Sequence, residues 1–410
     1  MTGHRWYSTV PVWFWSVVAL GAGLRLYLVF FSQGTYDVGF WQLHAMRVNE
    51  MGLLAYYHSS QNANHPPFIL EFASYLLRFA EWTGIPFRIL LRAPIATLDG
   101  ASAFLLLKLL KVHPWRFALT AAFWINPLAI ILSAYQGNTD STVAFVLLLV
   151  AWLLSRRQSA AAAIAMGIGF WIKLPAIVAL PAFLVYLRHW RQRTLFLFLT
   201  AVIGAVGYLP ALFQDPAIVA TNVFGYHGRM LQTQAGVPAW GPRALFFSVI
   251  ASPEKWPEQL HAPVLFFLQH DWQIGLLLAI AVIALRWPRR SALGLCATVA
   301  MAYTALCGVT DYWAFQYFAW SLPFWFFLRP WFFIPATIMV SAYIYSLYWK
   351  LCGNPWLLGT WDFAGNLFWP PIVVLFRDLA VVFFFLAALA FVIASVRYSL
   401  LRVRSNRQTT

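Results

Sequence analysis

The stretch PVWFWSVVALGAGLRLYLVFFSQGTYDVGFW, residues 11–41, decides the fold. Pro11–Phe31 carries a single charged residue, Arg25, in an otherwise apolar run. A helix of this length crosses the roughly 30 Å hydrocarbon layer of a bilayer. No small-residue cleavage site follows it, so the run is expected to stay as the first span rather than to be removed as a signal. The chain then turns polar at Ser32-Gln33-Gly34-Thr35 and presents a carboxylate, Asp37, close to the membrane surface.

Runs of the same kind recur as far as Ser395. The chain is 61% hydrophobic and 10% charged, against about 25% charged in soluble domains. The runs are continuous rather than alternating, which excludes a transmembrane β-barrel. The predicted architecture is an all-α polytopic membrane protein, a single transmembrane domain over residues 1–410 with about 12 transmembrane helices. Ten spans are expected near 11–31, 87–110, 115–135, 139–154, 194–213, 263–285, 291–309, 313–328, 331–349 and 372–395. Residues 159–187 lie between two basic clusters and are too few for two full spans. They are predicted as two short helices meeting at Lys173-Leu174-Pro175, because the residue before proline resists helical geometry.

The first external loop, 32–86, contains amphipathic stretches at 39–54 and 68–81. Glu71, Arg78 and Glu81 make the second too costly as a span, so both are predicted to lie in the interface. Further external loops are expected at 214–261 and 350–371, and a basic cytoplasmic tail at 396–410.

Charge supports this arrangement. With both termini cytoplasmic, the basic residues near 108–116, 156–157, 188–193, 286–290 and 397–407 all fall inside, and no Asp or Glu joins them. The net charge of +15 is therefore the positive-inside rule at work rather than a nucleic-acid-binding face. Cys296, Cys307 and Cys352 form no disulfide framework. No Asn-x-Ser/Thr acceptor, Walker loop, dinucleotide fingerprint, His-x-x-x-His or Cys-x-x-Cys occurs. The missing acceptor gives no support to a glycosylated lumenal setting, and without the other motifs the chain does not read as a pump ATPase or as an enzyme with a cytosolic nucleotide domain. The first loop has one Asp and no Asp-x-Asp pair, so no cofactor is expected and a divalent metal has weak support.

Intramembrane and interfacial ionisable groups are the functional candidates. Two readings fit Asp37: a general base for a hydroxyl, or a cap on the interfacial helix that follows. His65, in Asn64-His65-Pro66-Pro67, either sits at a proline-marked helix start or donates to a sugar hydroxyl or phosphate. In Gln136-Gly137-Asn138-Thr139-Asp140-Ser141, Asn138 or Thr139 can cap the next span and Asp140 suits its dipole; alternatively Asp140 binds an acceptor beside Asp37. Arg92 and Asp99, seven apart on one helix side, are predicted to form a structural ion pair, with Asp99 also available to Arg25. Lys173, His227, Arg229 and Arg243 either snorkel to the interface or hold a phosphate. Gln316, in Phe315-Gln316-Tyr317, is an amide that needs a partner.

Four of these stretches together resemble the GT-C superfamily of polytopic glycosyltransferases, particularly its bacterial mannosyltransferase-like members. They are Arg25 followed by Tyr36-Asp37-Val38-Gly39; Arg92 with Asp99; Gly137-Asn138-Thr139-Asp140 leading to Lys173-Leu174-Pro175; and Phe315-Gln316-Tyr317 with Trp320 and Pro323. The resemblance implies an inverting transferase whose donor is a sugar on a polyprenyl phosphate, used outside the cytoplasm. The family's acidic residue in the first external loop maps onto Asp37. On this reading Asp140, His65, Tyr36 and Gln316 contact the acceptor, a hydroxyl on a glycolipid, glycan or protein, and Arg229, Lys173, Arg243 and His227 hold the donor phosphate. The expected setting is a bacterial inner membrane. Two rivals share the gross topology: a transporter or flippase of lipid-linked sugars or small solutes, and a non-catalytic assembly subunit. The absence of a visible two-fold repeat counts against the transporter.

Overall fold

The computed structural model describes residues 10–226, 239–246, 252–286, 291–362 and 369–407. Helix α1 (Val12–Phe31) runs to Ser32, and the chain continues as α2 (Tyr36–Met51), α3 (Leu53–Ser59) and α4 (Pro67–Thr83). Thr35 caps α2: its Oγ1 accepts the Asp37 N–H at 3.2 Å. Pro67 opens α4 at the first helical position, where its missing N–H costs nothing, and Gly84 closes it at φ +72°. These helices bury a core of their own. Trp41, Ala45 and Val48 of α2 face Leu70, Ala73 and Leu77 of α4. The polar seam beside it is satisfied by Ser74 Oγ and Arg78 Nε, both donating to Asn49 Oδ1. The two stretches expected at the interface, 39–54 and 68–81, are thus helical.

Among the described residues, five helices are long and apolar enough to cross a membrane. They are α1, α5 (Phe87–Leu109), a helix over Ala292–Val309, another over Pro330–Cys352, and the long one from Pro371. Two bent pairs raise the number to seven. The first is α6 (Arg116–Trp124) with Pro127–Tyr135, bent by 45°. Asn126 causes the break: its Oδ1 accepts the Leu128 N–H at 2.9 Å, so a new helix starts at Pro127. The second is Glu258–Gln269 with Asp271–Leu285, bent by 71° at the polar Gln269-His270-Asp271. Shorter apolar helices are α7 (Asp140–Ser155) and α8 (Ser159–Ile172). After α8 the chain breaks at Lys173 (φ −163°, ψ 133°) and continues as Leu174–Tyr186. The break predicted at Lys173-Leu174-Pro175 is thus present.

Against the expectation of about twelve spans, five to seven candidate spans are present among the described residues. Residues 313–328 form a 3₁₀ turn, Phe315–Trp320, and a four-residue helix, Leu322–Trp325, rather than one span. Pro323 supplies no N–H to carry the turn onward.

The Arg92–Asp99 pairing is not formed. Asp99 binds Arg25 instead, at 2.9 Å, and Ser133 Oγ donates to it at 2.6 Å. Arg25 also lies 3.9 Å over the Trp124 ring. Arg92 is fully buried and donates to the carbonyls of Val29 at 2.9 Å and Ser32 at 2.7 Å and to Ser32 Oγ at 2.7 Å. It satisfies the orphan carbonyls at the end of α1. Helix spacing put Arg92 and Asp99 on one side of α5, but α1 passes there and offers each a better partner.

Candidate active site

Asp37 is half-buried in the first turn of α2. Thr35 does the capping, which leaves the Asp37 carboxylate for other work. Opposite it, the helix from Pro127 widens into a π turn over Ile131–Tyr135, a form that recurs at functional sites. Gly137 follows at φ +72°. A Cβ there would sit 2.4 Å from Val38 Cγ2, so only glycine lets this strand of backbone lie against α2. The tight turn aims the residues on either side of it at one point. Gln136 Nε2 donates to Asp37 Oδ2 at 2.9 Å and Asn138 Nδ2 donates to the same oxygen at 3.0 Å. Asp37 Oδ1 receives no hydrogen bond from the described residues. Burial raises the Asp37 pKa above the ordinary carboxylate value, aided by the charge of Asp140 and opposed by the two amides and Lys173.

Behind this oxygen pair lies a second layer. Lys173 Nζ reaches Asp140 Oδ2 at 2.7 Å and Asn138 Oδ1 at 3.4 Å. Trp320 Nε1 donates to Asp140 Oδ1 at 2.5 Å. Asp140 is 1% exposed, so both of its oxygens are committed and neither faces open space.

These groups border a cavity of about 520 Å³, lined by Asp37, Trp41, His44, His65, Asn138, Lys173, Tyr226, Tyr312, Gln316, Tyr317 and Trp320 among others. Its size and its few polar groups among aromatics are those of a small-molecule site. His65 stacks on Trp41 with ring centroids 4.6 Å apart. His44 Nδ1 meets Tyr56 Oη at 2.6 Å. Burial drives the His44 pKa down to about 4 and holds that of His65 well below its usual value, with Lys173 adding to the effect at His65. Both imidazoles are therefore neutral at neutral pH and suit hydroxyls better than they suit charge balance for a phosphate. Lys173 is the cation on this wall among the described residues.

The structure gathers Asp37, His65, Lys173 and Gln316 around one cavity and leaves other candidates elsewhere. Asp140 stands behind the wall, joined to it through Lys173. Tyr36 opens onto a separate cavity of about 450 Å³, beside Gln42, Arg88 and Trp361. Arg243 is held by Asp311, with Nε 3.1 Å from Oδ2, and donates from Nη2 to the Leu268 carbonyl at 2.9 Å. Its work there is to anchor the chain beside Asp311, whose pKa burial raises to about 7, with Asp271 adding and Arg243 opposing. His227 and Arg229 lie outside the described residues. Two residues gain roles the sequence did not give them. The sequence assigns none to Gln136 and only a cap to Asn138; the signal available is a pair of amides flanking a glycine.

The model of glycosyltransferase family 87 matches residues 65–310, more than half of the chain. His65, Gln136, Asn138, Asp140 and Lys173 fall within the match; Asp37 and Gln316 lie outside it. No curated protein and no solved structure matches the chain. A many-span helical protein whose matched half supplies most of one cavity wall is accounted for by that family, and the chain belongs to glycosyltransferase family 87, a GT-C family of integral-membrane glycosyltransferases that use polyprenyl-phosphate sugars.

Proposed function

We propose that this glycosyltransferase moves a hexose or pentose, of mannose-like type, from a polyprenyl-phosphate donor to a hydroxyl acceptor on the outer face of a bacterial inner membrane, with inversion. The topology that goes with this has about twelve spans and cytoplasmic termini. Asp37 is the base. Its Oδ1 takes the proton of the acceptor hydroxyl as the acceptor oxygen attacks the anomeric carbon. The bond from that carbon to the phosphate oxygen breaks, and the electron pair leaves with polyprenyl phosphate. Lys173 neutralises charge growing on the phosphate, with His227 and Arg229 as further contacts from the long external segment. His65 and Gln316 bind sugar or acceptor hydroxyls, and the stacked Tyr317 and Trp320 rings, 4.1 Å apart, give the pyranose or furanose face an apolar platform.

One observation carries this reading: a carboxylate in the cavity of a GT-C chain has one oxygen fixed by two amides and the other without a hydrogen bond from the described residues. The test uses purified protein in nanodiscs with radiolabelled polyprenyl-phosphate mannose and a panel of glycolipid, glycan and peptide hydroxyl acceptors. Transfer by the wild type that is lost in Asp37→Asn supports the reading. Transfer unaffected by Asp37→Asn removes Asp37 as base. Energised uptake of solute into vesicles without any transfer overturns the reading in favour of transport.

A further inference from the structure

We propose that Tyr348 is a positioning residue for glycosyl transfer: by donating its hydroxyl hydrogen to Gln136 Oε1, it fixes which end of that amide faces Asp37. The proposal rests on the reading of Asp37 as base.

The two ends of a glutamine amide are nearly the same shape and opposite in function. One end donates to a carboxylate and the other repels it. At Gln136 both ends are assigned. Tyr348 occupies the oxygen. The nitrogen's two hydrogens go to Asp37 Oδ2 at 2.9 Å and to Gln316 Oε1 at 3.1 Å. Asn138 is fixed separately, since its Oδ1 accepts the Thr139 N–H at 2.7 Å as well as Lys173 Nζ. The pair of amides therefore converges on Oδ2 and leaves Oδ1 as the basic oxygen. Tyr348 is not on the cavity wall. Its ring is fully buried in the Pro330–Cys352 helix, with Trp361 edge-on at 4.7 Å. Its hydrogen-bonded route to Asp37 runs through Gln136.

Removing the hydroxyl leaves Oε1 buried without a donor. The amide then gains by turning toward other donors, and its hold on the ionised carboxylate weakens. The groups that share the field at Asp37 are Asp140, Lys173, Tyr317 and Tyr348 itself. The neutral His44 and His65 line the same cavity. None of these except Tyr348 is altered by the substitution.

The test is the pH profile of kcat/KM for transfer by full-length protein in nanodiscs, using polyprenyl-phosphate mannose and the best acceptor of the panel. Tyr348→Phe keeps the ring and its packing. The expected result is an acid limb moved up by about 0.5–1 pH unit, the equivalent of one hydrogen bond on the charged form. Donor KM is expected to change less than about twofold, since the hydroxyl touches no substrate. Gln136→Leu should move the limb at least as far, and Tyr348→Phe should add nothing to it. If Tyr348→Phe does not fold, 3,5-difluorotyrosine introduced at position 348 keeps the shape and strengthens the donor, and the limb should move down. A limb unmoved by the tested change at position 348, or effects that add in the double variant, overturns the proposal. Failure of the base assignment is separately visible as full transfer by Asp37→Asn.

Discussion

The Lys173 ammonium lies 2.7 Å from Asp140 Oδ2, and the two side chains are 11% and 1% exposed. This pair separates the cavity from the helices behind it. Lys173 comes from the extended residue that breaks α8, and Asp140 from the first turn of α7. Lys173→Met leaves a buried carboxylate without a counter-charge. Breaking one side of such a pair costs about 3–5 kcal/mol, so thermal unfolding in nanodiscs should show a large fall in midpoint. Adding Asp140→Asn to Lys173→Met should recover much of the loss, because no charge is then stranded. Lys173→Arg should keep most of the stability. A double variant no more stable than Lys173→Met would show that the pair is not coupled.

Asp37→Asn separates chemistry from structure at one atom. An asparagine can present its own oxygen to the Gln136 and Asn138 amides, so the local hydrogen bonds survive while the base is lost. Transfer should fall by about 10²–10⁴-fold. Stability should move the other way. A carboxyl whose folded pKa is raised contributes stability below its unfolded value, 3.8, and loses that contribution as pH rises through the folded value. At pH 7 the native site therefore carries a cost that Asn does not. The unfolding midpoint of Asp37→Asn should equal or exceed the wild type at pH 7, with the difference closing as pH approaches 3.8. In wild type, activity should fall as pH drops through a value above that of an ordinary carboxylate, since the base must be ionised. A variant that loses activity together with stability would instead mark Asp37 as structural.

Gly137 is required twice over, by its φ of +72° and by the 2.4 Å approach its Cβ would make to Val38 Cγ2. Gly137→Ala should cost about 2–4 kcal/mol, the sum of backbone strain and overpacking. Val38→Ala in the same chain should return the overpacking part and leave the strain. The measurable sign is a partial recovery of the unfolding midpoint. Transfer should recover less, because the strained turn still misaims Gln136 and Asn138. Full recovery of both would show that space alone fixed this glycine.

Much of the frame was legible in the sequence because hydrophobic length and charge placement are local quantities. The helices of the first loop and the break at Lys173 both came from such patterns. What was not legible depended on contacts between distant segments. Arg92 and Asp99 share a helix face, yet α1 offers each of them a different partner. Asp140 and Lys173 were placed in different roles, acceptor and donor, although they are 2.7 Å apart. Gln136 carries no charge and no motif, and its value appears only when Tyr348 and Asp37 are brought to its two ends. The bends inside single apolar runs, at Asn126-Pro127 and His270-Asp271, were not legible either. A hydropathy window averages over such a break and cannot register it.

The Arg25–Asp99 pair offers a control that should change stability without touching the chemistry. It lies between α1 and α5, with Ser133 and the Trp124 ring completing it, and neither residue lines the larger cavity. Arg25→Met leaves Asp99 with the Ser133 hydroxyl as its remaining partner. About 3–5 kcal/mol should be lost. Arg25→Met with Asp99→Leu removes both charges, and the double variant should be more stable than Arg25→Met alone. Arg25→Lys should be intermediate, because an ammonium cannot reproduce the two guanidinium contacts, Nε at 3.2 Å and Nη2 at 2.9 Å, on one carboxylate oxygen. For all three, the pH profile of transfer measured below the unfolding range should superimpose on wild type. A shifted acid limb would mean that this pair reaches Asp37 through the π turn at Ile131–Tyr135, which begins two residues before Ser133, and that it belongs to the site as well as to the scaffold.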